Sequence, residues 1–423
     1  MSGGAALAPR VVRLDDPGDF LAIAAGAGRR PLFYFEHPAR GVALLALGAV
    51  AEIRAAGPDR FAAAAAAARA LFAGLPPSDP PPLLVGGFAF SDTPSTDPAW
   101  REFPALRFVL PELTWVRRGG SVHLFRGDGG AAAAPLEGAP SERWREPGPP
   151  LLRIEESRDR PRWCAAVEDA RQAIARGALE KVVVARRRTL HGDAPLEPQR
   201  LLARARARRP GCTSFWIGAG ETSLVGSSPE VLLRARGGRL ETEALAGSAA
   251  RGETAVEDER LGRRLLASAK ERREHDLVLE SIREALAPLA RSLVAAGSPS
   301  LLRLPEAQHL HTPVRAELDG ETGVLEIAGR LHPTAAVCGA PRDAARAWID
   351  RREPDRGWYS GAVGWIDAVG DGELVVALRC GLVDGRALSL WAGAGIVEGS
   401  EAEAEFVETE AKLGALLDPP PAA

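Results

Sequence analysis

The sequence predicts an α+β fold, a large antiparallel β-sheet core with helices on the outside. Two observations carry the prediction. Apolar segments of strand length follow one another across short turn signals, among them Gly119-Gly120 and Asp384-Gly385, the second a favoured tight-turn pair. Helical periodicity is confined to a few longer stretches between these segments. Strands that neighbour in sequence and join through tight turns build antiparallel sheet, with helices covering it. The composition agrees: 46% hydrophobic and 26% charged residues over 423 positions describe a globular chain, neither disordered nor fibrous. That length allows roughly two or three domain-sized units, or one large domain.

Leu32 to Glu36 and Val42 to Leu47 are the first strand candidates. Asp59 to Phe72 is an alanine-rich helix with a capping aspartate and a stop near Gly74. Leu75 to Pro82 carries five prolines and must be an extended connection. Pro104 to Val116 and Ser121 to Phe125 read as two more strands, and Gly129 to Pro150, rich in Gly, Ala and Pro, as a boundary or surface excursion. Trp163, Val167, Ala170 and Ile174 recur at helical spacing before Gly177. A strand follows over Glu180 to Leu190, its Val182-Val183-Val184 run suggesting burial on both faces. Strands over Val231 to Arg236 and Arg239 to Glu243 come next, then a long charged helix from Val256 to Leu289. Leu374 to Val383 and Ala387 to Trp391 form a hairpin, and a helix from Glu401 to Leu417 ends the chain. No internal repeat is evident. Residues 1 to 150 and 151 to 423 are expected to form the two parts of one continuous unit.

Of the 53 basic residues only Lys181, Lys270 and Lys412 are lysines, and asparagine is absent. Arginine evidently stands in wherever a positive charge suffices, so the three lysines mark places where arginine's permanent charge would fail, or chance survivals. The net charge of −3 argues against nucleic-acid binding, and Arg200 to Arg209 reads as a solvated helix face. The longest apolar stretch, Gly41 to Ala51, is far short of the ~20 residues that span a bilayer. No basic-then-apolar leader opens the chain, and Cys164, Cys212, Cys338 and Cys380 are scattered without a disulfide or metal pattern. A reduced, cytoplasmic protein is expected. Val182, Glu271 and Leu413 follow the lysines, which excludes a phosphate loop needing Ser or Thr there. Glu398 stands where a dinucleotide fingerprint from Gly393 would need its third glycine.

Several residues could carry chemistry. Lys181 opens an apolar strand, where it either points to solvent or is buried with a depressed pKa as a general base. Arg379, among Val375 to Cys380, needs a carboxylate partner, structural or supplied by a substrate. Glu230 at the mouth of a strand reaches solvent or acts as an acid with a raised pKa. Glu401, Glu405, Glu408 and Lys412 share one helix face, which is a solvated stripe or a pair of carboxylates for Mg²⁺. Glu274 allows the same two readings. His309 and His311 lie on one face of an extended segment, a weak pointer to zinc without a third ligand.

From about Arg162 to Leu417 these residues fall in an order that resembles the chorismate-utilising enzymes, most closely the isochorismate synthases. The matching stretches include Lys181 to Arg186, Ser228-Pro229-Glu230, Leu245 to Ser248, Leu266 to His275 and His309 to Pro313. They continue through Leu331 to Gly339, Gly361 to Trp365, Val376 to Cys380, Ala392 to Val397 and Glu405 to Thr409. The first 150 residues match more loosely. The resemblance implies two packed antiparallel sheets and a site for chorismate, a dianion, with Mg²⁺. It implies that Glu274 and Glu408 hold the ion with Glu405 nearby. Arg379 and Tyr359 would hold the enolpyruvyl carboxylate with help from Gly393, while Gly247, Ser248, His309, Ala336 and Lys412 line the cavity. Lys181 corresponds to the base that activates water at the ring 2-position, and Glu230 to the acid that protonates the departing 4-hydroxyl. Such a pair must begin in opposite protonation states, which burial favours by lowering a lysine and raising a glutamate.

Members that use ammonia carry glutamine at the Lys181 position, so Lys181 points to water as nucleophile and to no glutaminase subunit. Aminodeoxychorismate synthases carry a lysine where this chain has Ala246. Ala336-Val337-Cys338 resembles the isochorismate synthases of menaquinone and siderophore pathways. Tyr359, where siderophore enzymes tend to have phenylalanine, is similar to salicylate synthases, which go on to expel pyruvate. A non-catalytic chorismate-binding subunit is the third reading, disfavoured by the intact Lys181, Glu230, Glu274 and Glu408.

Overall fold

The computed structural model describes residues 10–28, 30–127, 151–318, 322–353 and 355–417; the Gly129 to Pro150 boundary lies outside the described residues. Among these residues the strands form two sheets, one of twelve strands and one of ten, and every pairing is antiparallel. The first sheet runs from Arg10–Leu14 through Leu32–His37, Thr213–Ala219, Cys380–Asp384 and Ala387–Ile396 to Lys181–Gly192 and Gly339–Ala340. The second runs from Ala290–Ala295 through Ala307–Leu318, Arg239–Ala250, Gly372–Val376 and Leu83–Phe88 to Ala51–Ala55. Both sheets mix early and late chain: Leu32–His37 pairs with Thr213–Ala219, and Leu83–Phe88 with Ala362–Asp367.

Alternation along each strand decides which face it buries. Phe33, Phe35, Leu44 and Ala46 of the first sheet pack with Val85, Val363 and Val375 of the second, filling the space between them. Their neighbours Leu32, Tyr34, Leu45 and Leu47 face the other way, onto Phe20, Leu21 and Leu202 of the outer helices. On the far side of the second sheet, Leu84, Phe88 and Leu232 pack against Ala64, Val278 and Ile327. Because both faces of these strands are buried, a slip of one residue would exchange the two sets and misfit each against its packing partners. Helix Arg160–Ala175 forms as predicted, capped where Asp159 accepts the Arg162 N–H at 3.1 Å. Helix Arg60–Ala73 also forms, but the Asp59 side chain makes no capping bond.

Four elements differ from expectation, each at a residue that turns, breaks or bulges the chain. Leu374 to Val383 is not one strand: Gly372–Val376 belongs to the second sheet and Cys380–Asp384 to the first. The chain crosses between sheets at Ala377-Leu378-Arg379, with Arg379 at φ 48°, a left-handed conformation that costs a non-glycine residue about 1–3 kcal/mol. Pro104 to Val116 likewise divides into Leu106–Leu110 and Leu113–Arg118, one in each sheet, at Pro111, which has no N–H for a ladder. The long charged helix is two helices, Ala255–Ala267 and Ala269–Leu286, broken at Ser268 with ψ 116°. The Ser268 hydroxyl accepts the Glu271 N–H and starts the second helix anew. The strand from Arg239 is longer than predicted, reaching Ala250, with a bulge between Ala246 and Ser248 where Gly247 takes φ 77°.

Candidate active site

The crossover at Arg379, the Gly247 bulge and the last helix, Ala402–Leu413, meet around one cavity. It holds about 660 Å³ of space, its open mouth included. The two sheets supply Gly247, Ser248 and His309 on one side and Gly393 on the other, and Glu230 sits in the connection just before the strand Val231–Arg236. Ala336, Tyr359 and Arg379 come from connections, and helices supply Glu274, Glu408 and Lys412. Lys181 and Glu405 do not line the cavity; each stands behind it, against another charged group.

Lys181 is 0% exposed, which settles the choice between solvent and interior. Its Nζ lies 3.0 Å from Glu274 Oε1 and has no aligned hydrogen bond with any described residue. Gly395 makes this pair possible. A Cβ there would fall 2.0 Å from Glu274 Oε1 and 2.9 Å from Lys181 Cε. Glu230 is also buried. Burial and the Glu243 carboxylate raise its pKa to about 8, against the opposing pull of Lys181, Arg379 and Lys412. A carboxyl in that state is protonated at neutral pH and can donate a proton.

Glu274 and Glu408 are the two carboxylates of the candidate ion site that face the cavity. Glu408 pairs with Lys412 one turn on, whose Nζ also donates to the Gly393 carbonyl at 2.8 Å. Burial raises the Glu408 pKa, and the Lys412 ammonium more than offsets it, leaving the carboxyl below its usual range. Glu405 instead accepts from Lys270 Nζ at 2.7 Å. Burial and the Glu408 charge push its pKa up to about 7. Among the described residues no three His, Cys, Asp or Glu side chains converge as a metal cage. Two cavity carboxylates with room for other oxygens still fit Mg²⁺, which is usually held by one or two carboxylates, waters and substrate oxygens.

Arg379 donates from Nε to Glu306 Oε1 at 3.1 Å, and its Nη2 lies 3.5 Å from His309 Nε2. Burial, then Arg379 and Lys412, lowers the His309 pKa to about 3, so the ring is neutral. Its Nδ1 lies 2.9 Å from Ser248 Oγ, while the Ser248 N–H goes to Glu271 Oε2 at 2.9 Å. The Tyr359 ring stacks on Trp391 with centroids 6.2 Å apart, and its hydroxyl lies close to Gly393. His311 bonds Glu243 at 2.8 Å, which gives the histidine pair no shared ligand role.

Residues 7–127 and 132–419 match the family described as chorismate binding enzymes. The chain belongs to that family. The salicylate biosynthesis isochorismate synthase of Pseudomonas aeruginosa is 37% identical over 405 residues, covering 92% of this chain and 84% of that one. The isochorismate synthase EntC of Escherichia coli is 39% identical over 256 residues, 58% of this chain and 66% of its own. The solved structure of MenF, the menaquinone-specific isochorismate synthase from Escherichia coli, superposes with a TM-score of 0.81 at 30% identity, covering 98% of this chain and 96% of that one. Anthranilate synthase component I from Streptococcus pneumoniae shares the fold, with a TM-score of 0.74 at 21% identity over 90% of this chain and 93% of that one.

The candidate site of this chorismate-binding family member also contains residues that sequence reasoning missed. Glu306 lies between two guanidiniums, Arg379 and Arg209. Arg209 also donates to the Ala415 carbonyl at 2.6 Å, just beyond the helix that carries Lys412. Glu271 fixes the Gly247-Ser248 bulge, and Glu243 bears on Glu230. None of the three carries a local signal, because each is defined by partners far away in sequence. For Glu306, the one available hint is the buried charge of Arg379, which requires a carboxylate.

Proposed function

We propose that the protein is an isochorismate synthase that converts chorismate to isochorismate with Mg²⁺, serving menaquinone or siderophore biosynthesis. The carrying observation is a fully buried Lys181 behind the cavity into which a protonated Glu230 faces. Water attacks ring C2 and gives its proton to Lys181; the ring double bonds shift and the 4-hydroxyl leaves as water with the proton from Glu230. One water enters and one departs, so atoms balance. Arg379 and the Tyr359 hydroxyl bind the enolpyruvyl carboxylate, and Gly247, Ser248, His309, Ala336 and Gly393 shape the cavity around the ring. Lys412 adds positive charge suited to a dianion. Mg²⁺ held by Glu274 and Glu408 would anchor the ring carboxylate and offset its charge.

The cavity lining lies between Val183 and Lys412. This supports residues 151 to 423 as the catalytic region, with residues 1 to 150 completing the sheets. The buried lysine supports water rather than ammonia as the nucleophile, and an enzyme that works without a glutaminase subunit. The free cysteines, Cys164, Cys212, Cys338 and Cys380, accord with a cytoplasmic setting. No helix of the described residues is long and apolar enough to cross a membrane.

The deciding experiment incubates purified protein with chorismate and Mg²⁺ and separates the products, with and without ammonium. Isochorismate is expected. Salicylate with stoichiometric pyruvate would move the assignment to salicylate synthase, the reading that buried Tyr359 favours. No conversion at all would leave only a chorismate-binding subunit.

A further inference from the structure

The chain's three lysines end on three carboxylates of one cluster: Lys181 on Glu274, Lys412 on Glu408 and Lys270 on Glu405. The proposed reaction uses the first two and leaves Lys270 without a part. We propose that Lys270 is a positioning residue that withholds Glu405 from the ion and thereby sets the site's preference for Mg²⁺ over Ca²⁺. This rests on the Mg²⁺ reading above and extends it to a residue that touches neither ion nor substrate.

The geometry is that of one point charge bridging two acids. Lys270 Nζ lies 2.7 Å from Glu405 Oε1 and 3.2 Å from Glu271 Oε1. It therefore ties the helix Ala269–Leu286 to the helix Ala402–Leu413. Glu271 is in turn fixed by the Ser248 N–H on its other oxygen, so the ammonium cannot follow Glu405 toward the cavity without leaving Glu271. Glu405 is 4% exposed and Lys270 30%, so the pair is anchored on the acid's side and open on the lysine's. A compact ammonium with three donors suits two carboxylates converging on a single nitrogen. A planar guanidinium would have to spread them across its fork. In a chain that otherwise uses arginine almost everywhere, this accounts for a lysine at position 270.

Ligand count connects this clamp to the ion. With Glu405 held away, the cavity offers Glu274 and Glu408, a small set that leaves Mg²⁺ its waters and near-octahedral geometry. Ca²⁺ takes six to eight oxygens and gains most from each added carboxylate. Glu405 lies three residues before Glu408, hence on the same helix face. Released from Lys270, it becomes a third carboxylate for an ion already held by the other two.

The test is calorimetric titration of the full-length, metal-free protein with Mg²⁺ and with Ca²⁺, without substrate. Wild type, Lys270→Met, Lys270→Arg and the double variant Lys270→Met/Glu405→Gln are compared, with thermal melts to show that each is folded. Lys270→Met is expected to tighten Ca²⁺ binding by about tenfold while Mg²⁺ binding changes by less than about threefold. The double variant should return to the wild-type ratio, and Lys270→Arg should fall between. An unchanged Ca²⁺-to-Mg²⁺ ratio in Lys270→Met, or a shift that survives in the double variant, would overturn the role of Lys270. Wild-type protein that binds no Mg²⁺ would instead overturn the ion site itself, a distinguishable failure.

Discussion

Replacing Glu230 with glutamine separates the stability of the fold from its chemistry at one side chain. An ordinary glutamate ionises near 4.5, whereas buried Glu230 holds its proton up to about 8. Between those values the folded protein keeps a proton that the unfolded chain has released, so stability falls as pH rises. At about 1.4 kcal/mol per pH unit, the whole interval corresponds to roughly 5 kcal/mol, of which roughly 3 kcal/mol is already lost at pH 7. Glutamine matches the protonated acid in shape and has nothing to ionise. Glu230→Gln is therefore expected to be more stable than wild type by roughly 3 kcal/mol at pH 7 and to differ little near pH 4.5. Urea unfolding of both proteins at pH 5, 6, 7 and 8 measures this as a gap between midpoints that widens with pH. The same preparation should show no chorismate turnover, and wild-type turnover should decline above about pH 8 as Glu230 loses its proton. A gap that stays constant across the series would refute the burial argument, whatever happened to activity.

Three further outcomes are expected. Lys181→Arg should fold and lose turnover by a factor of about 10² to 10⁴, because a guanidinium cannot accept the proton; near-normal rates in a steady-state assay would sink the base assignment. Gly395→Ala places a methyl 2.0 Å from Glu274 Oε1, so calorimetry should show Mg²⁺ binding weakened by about tenfold or more, a cost in the 1–3 kcal/mol range of overpacking. Unaltered Mg²⁺ binding there would mean that Glu274 lies outside the ion site. Glu306→Gln loosens Arg379 without removing an acceptor, so KM for chorismate should rise by about tenfold while kcat changes less. Equal effects on both constants would show that Arg379 needs no such anchor.

The fold class was legible because hairpins are local. Gly119-Gly120 and Asp384-Gly385 make tight turns between strands that pair with each other, as their spacing implies. The assignment of strands to sheets was not legible. An apolar run such as Leu374 to Val383 looks the same whether it stays in one sheet or crosses to another, and only the left-handed turn at Arg379 separates the cases. Ser268 hid in the same way: a serine within a charged helical pattern gives no sign by itself that it caps a second helix. In the site, Lys181 and Glu230 stood out because a charge beside an apolar strand requires an explanation. Glu306 and Glu271 did not, since their explanation is a partner elsewhere in the chain. Lys270 lies between: its rarity marked it, and only the approach of Glu405 shows what it touches.

The interleaving of early and late strands has a consequence for how the chain is made. Leu32–His37 leaves the ribosome long before its partner Thr213–Ala219, and Leu83–Phe88 long before Ala362–Asp367. Neither sheet can close until nearly all of the chain has been synthesised, so the nascent protein carries unpaired, strongly apolar edges throughout translation. Slow assembly dominated by non-local pairing follows. Neither half is a fragment that can be expressed alone, and slowed synthesis or added chaperone should improve the soluble yield of the whole.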